Sequence, residues 1–243
     1  MGGVLGFIGG LFGIGGGIIT IPLLGIFFGY SQQLAQGTVL VLVIPTATTG
    51  LVHYLRRVKI DWRLVFIMMA TAVPVTFVMS RVATLLPSRP LRYAFVLFLV
   101  VLAAYVARRA WMLGKRAPRT HVGIVYAPLF GVISGLVSGL FTVGGSIFSV
   151  PLLTEYFEQP QIVAQATSLA FSLPGVFVSL AVYGFAGDVN WAVGIPLAIG
   201  GMTCASFGVA VAHRLPDRQL RLMFSAFILV CAVALFVRAR ELA

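Results

Sequence analysis

The sequence predicts an all-α polytopic membrane protein. It has two tandem repeats of about four helical segments, and the first segment of each is broken at a glycine-rich motif. Three observations predict this. Of the 243 residues, 60% are hydrophobic and only 9% charged, and the mean hydropathy is +1.04; a water-soluble domain carries roughly 25% charged residues. Six acidic side chains cannot clothe a soluble surface of this size, so lipid is the main solvent. The apolar runs approach the roughly 20 residues that a bilayer requires and lack period-two alternation, which leaves helices to satisfy the backbone in hydrocarbon. Finally, the second half of the chain matches the first at one fixed offset, the one that lays Gly139 on Gly10.

The apolar segments run over about 2–29, 34–55, 62–86, 91–113, 122–157, 162–186, 191–212 and 219–237. Polar breaks separate them: Ser31-Gln32-Gln33, Arg56 to Asp61, Pro87 to Pro90, Lys115 to Arg119, Glu158-Gln159-Pro160, Gly187 to Asn190, and Pro216-Asp217-Arg218. This divides the chain into repeat 1 over 1–114, a cytoplasmic linker over 115–121 and repeat 2 over 122–243. At the fixed offset, Gly10-Leu11-Phe12 meets Gly139-Leu140-Phe141, and Pro22-Leu23-Leu24 meets Pro151-Leu152-Leu153. Gln36 and Thr38 meet Gln165 and Thr167, Pro45 meets Pro174, Tyr54 and Trp62 meet Tyr183 and Trp191, and Leu91-Arg92 meets Leu220-Arg221. Identity is roughly 30% over about 113 gapless positions, and it includes Pro, Gln, Trp and Arg, which shared apolar bias does not supply. Internal repeats in a membrane bundle are a mark of secondary transporters, whose site lies where the repeats meet.

The charge balance excludes several classes. The net charge is +11, but the basic residues stand in short clusters between apolar runs, as cytoplasmic loops do. No polar face exists to track phosphates, so no nucleic-acid partner is expected. Cys204 and Cys231 lie in apolar stretches, which argues against a disulfide framework. The chain opens on Gly2-Gly3-Val4-Leu5 without a basic leader region, so no cleavable signal is expected.

The first and fifth segments are interrupted at matching places, Gly13 to Gly17 and Thr142 to Ser146. Glycine permits unwound backbone, which hydrocarbon tolerates only where it is buried in protein or lines a cavity. Half-helices starting near Ile18 and Ile147 then present free N–H groups and positive dipole ends. Two such ends meeting near the midplane form an anion site without a buried cation. The substrate-binding candidates here are Gly15, Gly16, Gly17, Gly144, Gly145 and Ser146, with Thr20 and Thr142 as further hydroxyl donors. Packing is the competing explanation. It is the better one for Gly2, Gly6 and Gly10 and for Gly131, Gly135 and Gly139, which recur at every fourth position.

The second and sixth segments carry matching polar pairs, Gln36 with Thr38 and Gln165 with Thr167, and Ser168 and Ser172 lie nearby. Polar side chains in hydrocarbon face the bundle or a wet cavity, and neutral donors suit an anion that must be released again. Interhelical hydrogen bonding is the plainer alternative. Pro45 and Pro174 should kink these helices, with Thr46, Thr48 or Ser172 satisfying freed carbonyls. No Asp or Glu lies at a segment centre, so a carboxylate proton relay is poorly supported. His53 reads as an interfacial hydrogen-bonder rather than a proton carrier. No metal site, cofactor or catalytic set is expected. Gly135-Leu136-Val137-Ser138-Gly139 misses an intramembrane serine-protease spacing by one position and lacks an activating histidine.

The run from Gly13 to Leu24, Gly-x-Gly-Gly-Gly-x-x-x-x-Pro-Leu-Leu, resembles the first signature of the TauE/SafE family, the sulfite-exporter-like transporters. Ala35-Gln36-Gly37-Thr38 and Ile60-Asp61-Trp62 resemble that family's second-helix and Val-Asp-Trp patterns, and the second-half copies extend the match over nearly the whole chain. Two departures are a shorter first segment and Asn190 in place of an aspartate equivalent to Asp61. The resemblance implies transport of small sulfur-containing anions, sulfite or organosulfonates, across a bacterial inner membrane. The expected function is therefore a secondary carrier and not an enzyme, with an anion or solute channel as the alternative. A coupling ion, proton or sodium, and a homo-oligomer stay open. Eight crossings are favoured over an arrangement in which the first segment of each half is a re-entrant hairpin. The 17 Lys and Arg divide nearly alike in the two arrangements, so the positive-inside rule does not separate them.

Overall fold

The computed structural model describes residues 17–111, 123–143, 146–212 and 217–241. The residues before Gly17, the linker over 115–121 and the Gly144-Gly145 pair lie outside the described residues. Within them the chain is helical, without strands. The helices are α1 Gly17–Phe28, α2 Gln32–Leu55, α3 Trp62–Leu85, α4 Ser88–Trp111, α5 Ala127–Phe141, α6 Ser146–Tyr156, α7 Gln161–Phe185, α8 Trp191–Ala212 and α9 Asp217–Glu241. A 3-10 turn over Ile124–Tyr126 leads into α5. Five stretches are long and apolar enough to cross a membrane: Gln32–Leu55, Trp62–Leu85, Ser88–Arg108, Ile124–Phe141 and Ile162–Phe185. Their outward faces carry Phe66, Leu97, Val101 and Phe177, all exposed, as a lipid-facing surface requires.

The helix starts fall where polar residues can cap them. Ser31 accepts from the Leu34 N–H at 3.2 Å to open α2. Asp61 accepts from the Arg63 and Leu64 N–H groups at 2.9 and 3.4 Å to open α3, and Asn190 accepts from the Val193 N–H at 3.2 Å to open α8. The replacement of Asp61 by Asn190 at the matching position is therefore conservative: Asp and Asn cap helices about equally well. The ends of α1 and α6 are also alike. The Tyr30 N–H reaches the Leu24 carbonyl and the Gln159 N–H the Leu153 carbonyl, each closing over a left-handed residue, Gly29 at φ 68° and Glu158 at φ 53°. This is the usual six-to-one closure of a helix end. Near Pro45 the hydroxyls do what the sequence suggests: Thr46 donates to the Leu42 and Val43 carbonyls at 2.9 Å, and Thr48 to Ile44 at 2.7 Å.

Chain direction follows from contacts at opposite ends of each pair. Gln36, near the start of α2, bonds Tyr183 near the end of α7, while a Cβ on Gly50 would touch Leu169, near the start of α7. Hence α2 and α7 run antiparallel at the centre. So do α4 and α9: Tyr93 stacks edge-on with Phe236, and Ser225 donates to the Ala103 carbonyl at 2.8 Å. The partners in each pair start at matching places in the two halves, Gln32 with Gln161 and Ser88 with Asp217.

The preference for eight crossings does not hold in the second half. Had α5 continued through its break into α6, Ser134 and Ser149 would stand about 22 Å apart at 1.5 Å per residue. Their hydroxyls are 2.9 Å apart. Phe130, early in α5, meets both Tyr156 and Phe157 at ring distances of 5.4 Å. The segment therefore turns back on itself and ends at the level where it began, a re-entrant hairpin with the glycine break at its tip. A helix can end at that depth because α3 and α7 cover the hairpin.

Candidate functional site

The centre of the bundle is the α2–α7 contact, flanked by α3 on α7 and by α8 on α2. The Ala35 to Thr38 stretch lies against the loop that follows α7. A Cβ on Gly37 would collide with the Asp188 carbonyl, so only glycine lets that loop close over α2. Burial raises the Asp188 carboxyl above the ordinary carboxylate range. With the loop in place, the Tyr183 hydroxyl donates to Gln36 Oε1 at 2.8 Å, and the Asn190 N–H donates to Thr38 Oγ1 at 3.0 Å. The Asn190 amide in turn donates to the Tyr30 hydroxyl at 2.9 Å.

These bonds leave something over. Gln36 is fully buried, yet its Nε2 has no acceptor; Thr167 Oγ1 and Ser168 Oγ are also buried without a partner. An unsatisfied buried polar group costs about 1–3 kcal/mol, and hydrocarbon offers no water to relieve it. Arg92 is the single buried ion among the described residues. Its guanidinium donates to the Tyr30 carbonyl at 3.2 Å, which ties it to the end of α1 and sets it apart from the unpaired donors.

The break of the second half lies beside α1 at this site. Thr142 ends α5 in a left-handed conformation, φ 54°, which is costly for a β-branched residue. Its hydroxyl donates to the Phe141 carbonyl at 2.7 Å and reaches the Gln36 carbonyl at 3.4 Å. A Cβ on Gly17, the first described residue of α1, would stand 4.0 Å from the Thr142 carbonyl oxygen. The break of the second half thus lies beside Gly17 of the first.

Of the sequence-predicted site residues, Gln36 and Gly17 meet at Thr142, and Thr38 is committed to the Asn190 backbone. Thr167 is buried and unpaired, whereas Gln165 is only half-buried. Gly15, Gly16, Gly144 and Gly145 lie outside the described residues; Gly17 and Ser146 are the first described residues of α1 and α6. The sequence did not mark Tyr183, Asn190 and Arg92 as partners in the site. A signal for the first was present, since Tyr54 and Tyr183 match between the two halves.

The periodic glycines of the fifth segment do serve packing. A Cβ on Gly135 would lie 2.6 Å from the Ala72 carbonyl oxygen, and one on Gly139 would lie 2.7 Å from that of Thr76. The close approach lets Thr76 and Ser80 donate across to the Gly135 and Gly139 carbonyls at 3.4 Å, and Ser80 and Ser179 share a 2.8 Å bond. Beside these contacts a crevice opens between α3, α5 and α7, lined by Thr76, Ser134, Ser138 and Ser172 among others, and too narrow for a water molecule.

Known proteins share this sequence pattern over most of its length. Residues 1–235 match the family model described as sulfite exporter TauE/SafE. The chain is 29% identical over 244 residues to a probable membrane transporter protein of Xylella fastidiosa, covering 97% of this chain and 92% of that one. It is 26% identical over 242 residues to the probable membrane transporter protein MJ0441 of Methanocaldococcus jannaschii, covering 93% and 89%. It is also 24% identical over 244 residues to the probable membrane transporter protein YunE of Bacillus subtilis, covering 89% and 88%. No solved structure matches the chain.

Proposed function

The chain belongs to the sulfite exporter TauE/SafE family, and from that premise we propose that it is a secondary transporter of small sulfur-containing anions, sulfite or organosulfonates, working through a site between two inverted repeats. It is a multi-pass membrane protein whose relatives are named as probable transporters; substrate class, repeat origin and a place in the bacterial inner membrane are parts of the proposal. The antiparallel pairs α2 with α7 and α4 with α9, whose partners start at matching places in the two halves, support the inverted-repeat reading, because such repeats place a substrate at their interface near the midplane.

The observation that carries the proposal is a fully buried donor without an acceptor, Gln36 Nε2, next to Thr142, where α5 ends at its glycine break. Buried donors normally have partners. A guest rich in acceptor oxygen would supply them here, and the positive ends of α1 and α6 add to its stabilisation. Neutral donors hold an anion more weakly than a salt bridge does, which fits a carrier that must let go. The narrowness of the crevice favours a carrier that parts its helices over a continuously open channel. An ion gradient of protons or sodium would drive the cycle.

A thermal-shift series on purified protein tests the substrate class. Sulfite, thiosulfate, sulfoacetate and sulfate are expected to raise the melting temperature in a concentration-dependent way, as selective binding to the native state requires. Stabilisation by neutral sugars or amino acids with none by these anions would refute the reading.

A further inference from the structure

One end of the α2–α7 pair is latched and the other is not. Where α2 starts, the end of α7 and the loop after it lie on α2. Tyr183 donates to Gln36 Oε1 at 2.8 Å, and the Asn190 N–H donates to Thr38 Oγ1 at 3.0 Å. The register that lays Gly139 on Gly10 gives each of these groups a counterpart at the other end, where α2 stops and α7 starts. Tyr54 corresponds to Tyr183, Gln165 to Gln36, Asp61 to Asn190 and Thr167 to Thr38. Among the described residues neither counterpart bond is made: no bond joins Tyr54 to Gln165, and Thr167 Oγ1 is buried without a partner. Burial follows the bonds. No residue of α2 beyond Val43 is buried, whereas past Ser172, the counterpart of Val43, α7 buries Gly175, Val176, Ser179, Val182 and Tyr183. One methyl group distinguishes the two ends further. Gly37 lets the Asp188 carbonyl sit where a Cβ would be, but the counterpart of Gly37 is Ala166. Its Cβ would strike the Lys59 loop if that loop came as close to α7.

We propose that the two loops are alternating latches: the bonds of Tyr54 with Gln165 and of Asp61 with Thr167 form when those of Tyr183 with Gln36 and of Asn190 with Thr38 break, and Gly37 against Ala166 biases the resting chain toward the state latched at the α7–α8 loop. This rests on the inverted-repeat carrier reading and names what its two ends exchange. Two hydrogen bonds are traded for two of the same kind, so the exchange is nearly balanced in hydrogen bonding. Thr167, an orphan in the state described, gains the partner that buried hydroxyls normally have. Gln36 belongs to both latch and site, since its Oε1 accepts from Tyr183 while its Nε2 is free. Unlatching therefore also releases the amide that faces the guest, which couples opening to binding.

Hydrogen exchange read by mass spectrometry on the full chain in proteoliposomes follows both loops at once. Gly37→Ala is expected to speed exchange over residues 186–192 by about threefold or more and to slow it over 57–63. Ala166→Gly is expected to act in the same two directions, by letting the Lys59 loop seat. Faster exchange over 186–192 with 57–63 unchanged, or no change in either loop, overturns the alternation. Should Gly37→Ala fail to fold, Thr38→Val, which removes the acceptor of the Asn190 N–H, gives the same comparison. Two further arms keep the latch apart from the reading it rests on. In a Cys204→Ala, Cys231→Ala background, an impermeant thiol reagent that reaches Lys59→Cys and Ala186→Cys from the same side of the membrane overturns the inverted arrangement. Wild-type liposomes without counterflow of sulfite or sulfoacetate, the reciprocal exchange being intact, overturn the carrier reading alone. Labelling from opposite sides together with counterflow, but without reciprocity between the loops, overturns the latch alone.

Discussion

At the residue scale, hydrogen-bond arithmetic separates paired buried polar groups from unpaired ones. Thr38 and Asn190 complete each other, as do Ser80 and Ser179, and such interhelical bonds contribute about 0.6–2 kcal/mol. Gln36, Thr167 and Ser168 keep a donor in hand. The sequence made Gln36, Thr38, Gln165 and Thr167 look equivalent because it showed them as a repeated pattern. Which of them had partners depended on Tyr183 and Asn190, which lie in the opposite half of the chain, and no local pattern carries that information. A second residue-scale feature lies at the surface. Glu158 holds a left-handed conformation, φ 53°, at the position where the first half has Gly29. An L-residue pays about 1–2 kcal/mol for that conformation. Glu158→Gly should therefore raise stability in detergent by about 1 kcal/mol, read as a higher midpoint of denaturant unfolding. An unchanged or lower midpoint would show that the left-handed turn carries no strain.

At the element scale, the decisive unit is the α5–α6 hairpin. Its existence was legible as a glycine interruption: α5 ends at Phe141, and α6 is helical from Ser146. Its direction was not legible. A broken apolar segment has the same composition whether it crosses the bilayer or turns back, and only contacts such as Ser134 with Ser149 decide. The glycines along α5 hold the hairpin against α3. Substituting Gly135 with Val would drive Cβ to 2.6 Å from the Ala72 carbonyl, a contact that backbone on a packed helix cannot yield. A loss of about 1–3 kcal/mol or more is expected, with reduced yield of folded protein. Serine at the same position should be hardly better, because the conflict begins at Cβ. Normal yield and stability for Gly135→Val would mean that α3 and α5 are less closely seated.

At the scale of the whole molecule, the proposed inverted-repeat reading, with the α5–α6 hairpin turning back on itself, sets which loops share a side. The loop with Lys59 and the loop with Glu158 should lie on one face, and the loop with Ala186 on the opposite face. Counted this way, most of the 17 basic residues fall on the Lys59 side, which the positive-inside rule makes cytoplasmic. Lys59→Cys should then label only from the cytoplasmic side and Ala186→Cys only from outside; labelling of both from the same side would restore eight crossings. The antiparallel arrangement brings α2 and α7 together, so that Gln36 of one half meets Tyr183 of the other, whereas Thr167 and Ser168 stand at the opposite end of α7, roughly 22–24 Å along the helix. The most direct measurement of the central claim is counterflow of radiolabelled sulfoacetate or sulfite into proteoliposomes by the wild type and by Gln36→Leu. The wild type should show saturable counterflow, and Gln36→Leu, correctly folded, should need at least tenfold more anion for half-maximal rate. Equal half-saturation in the two proteins would contradict the claim that neutral buried donors at the breaks hold the anion.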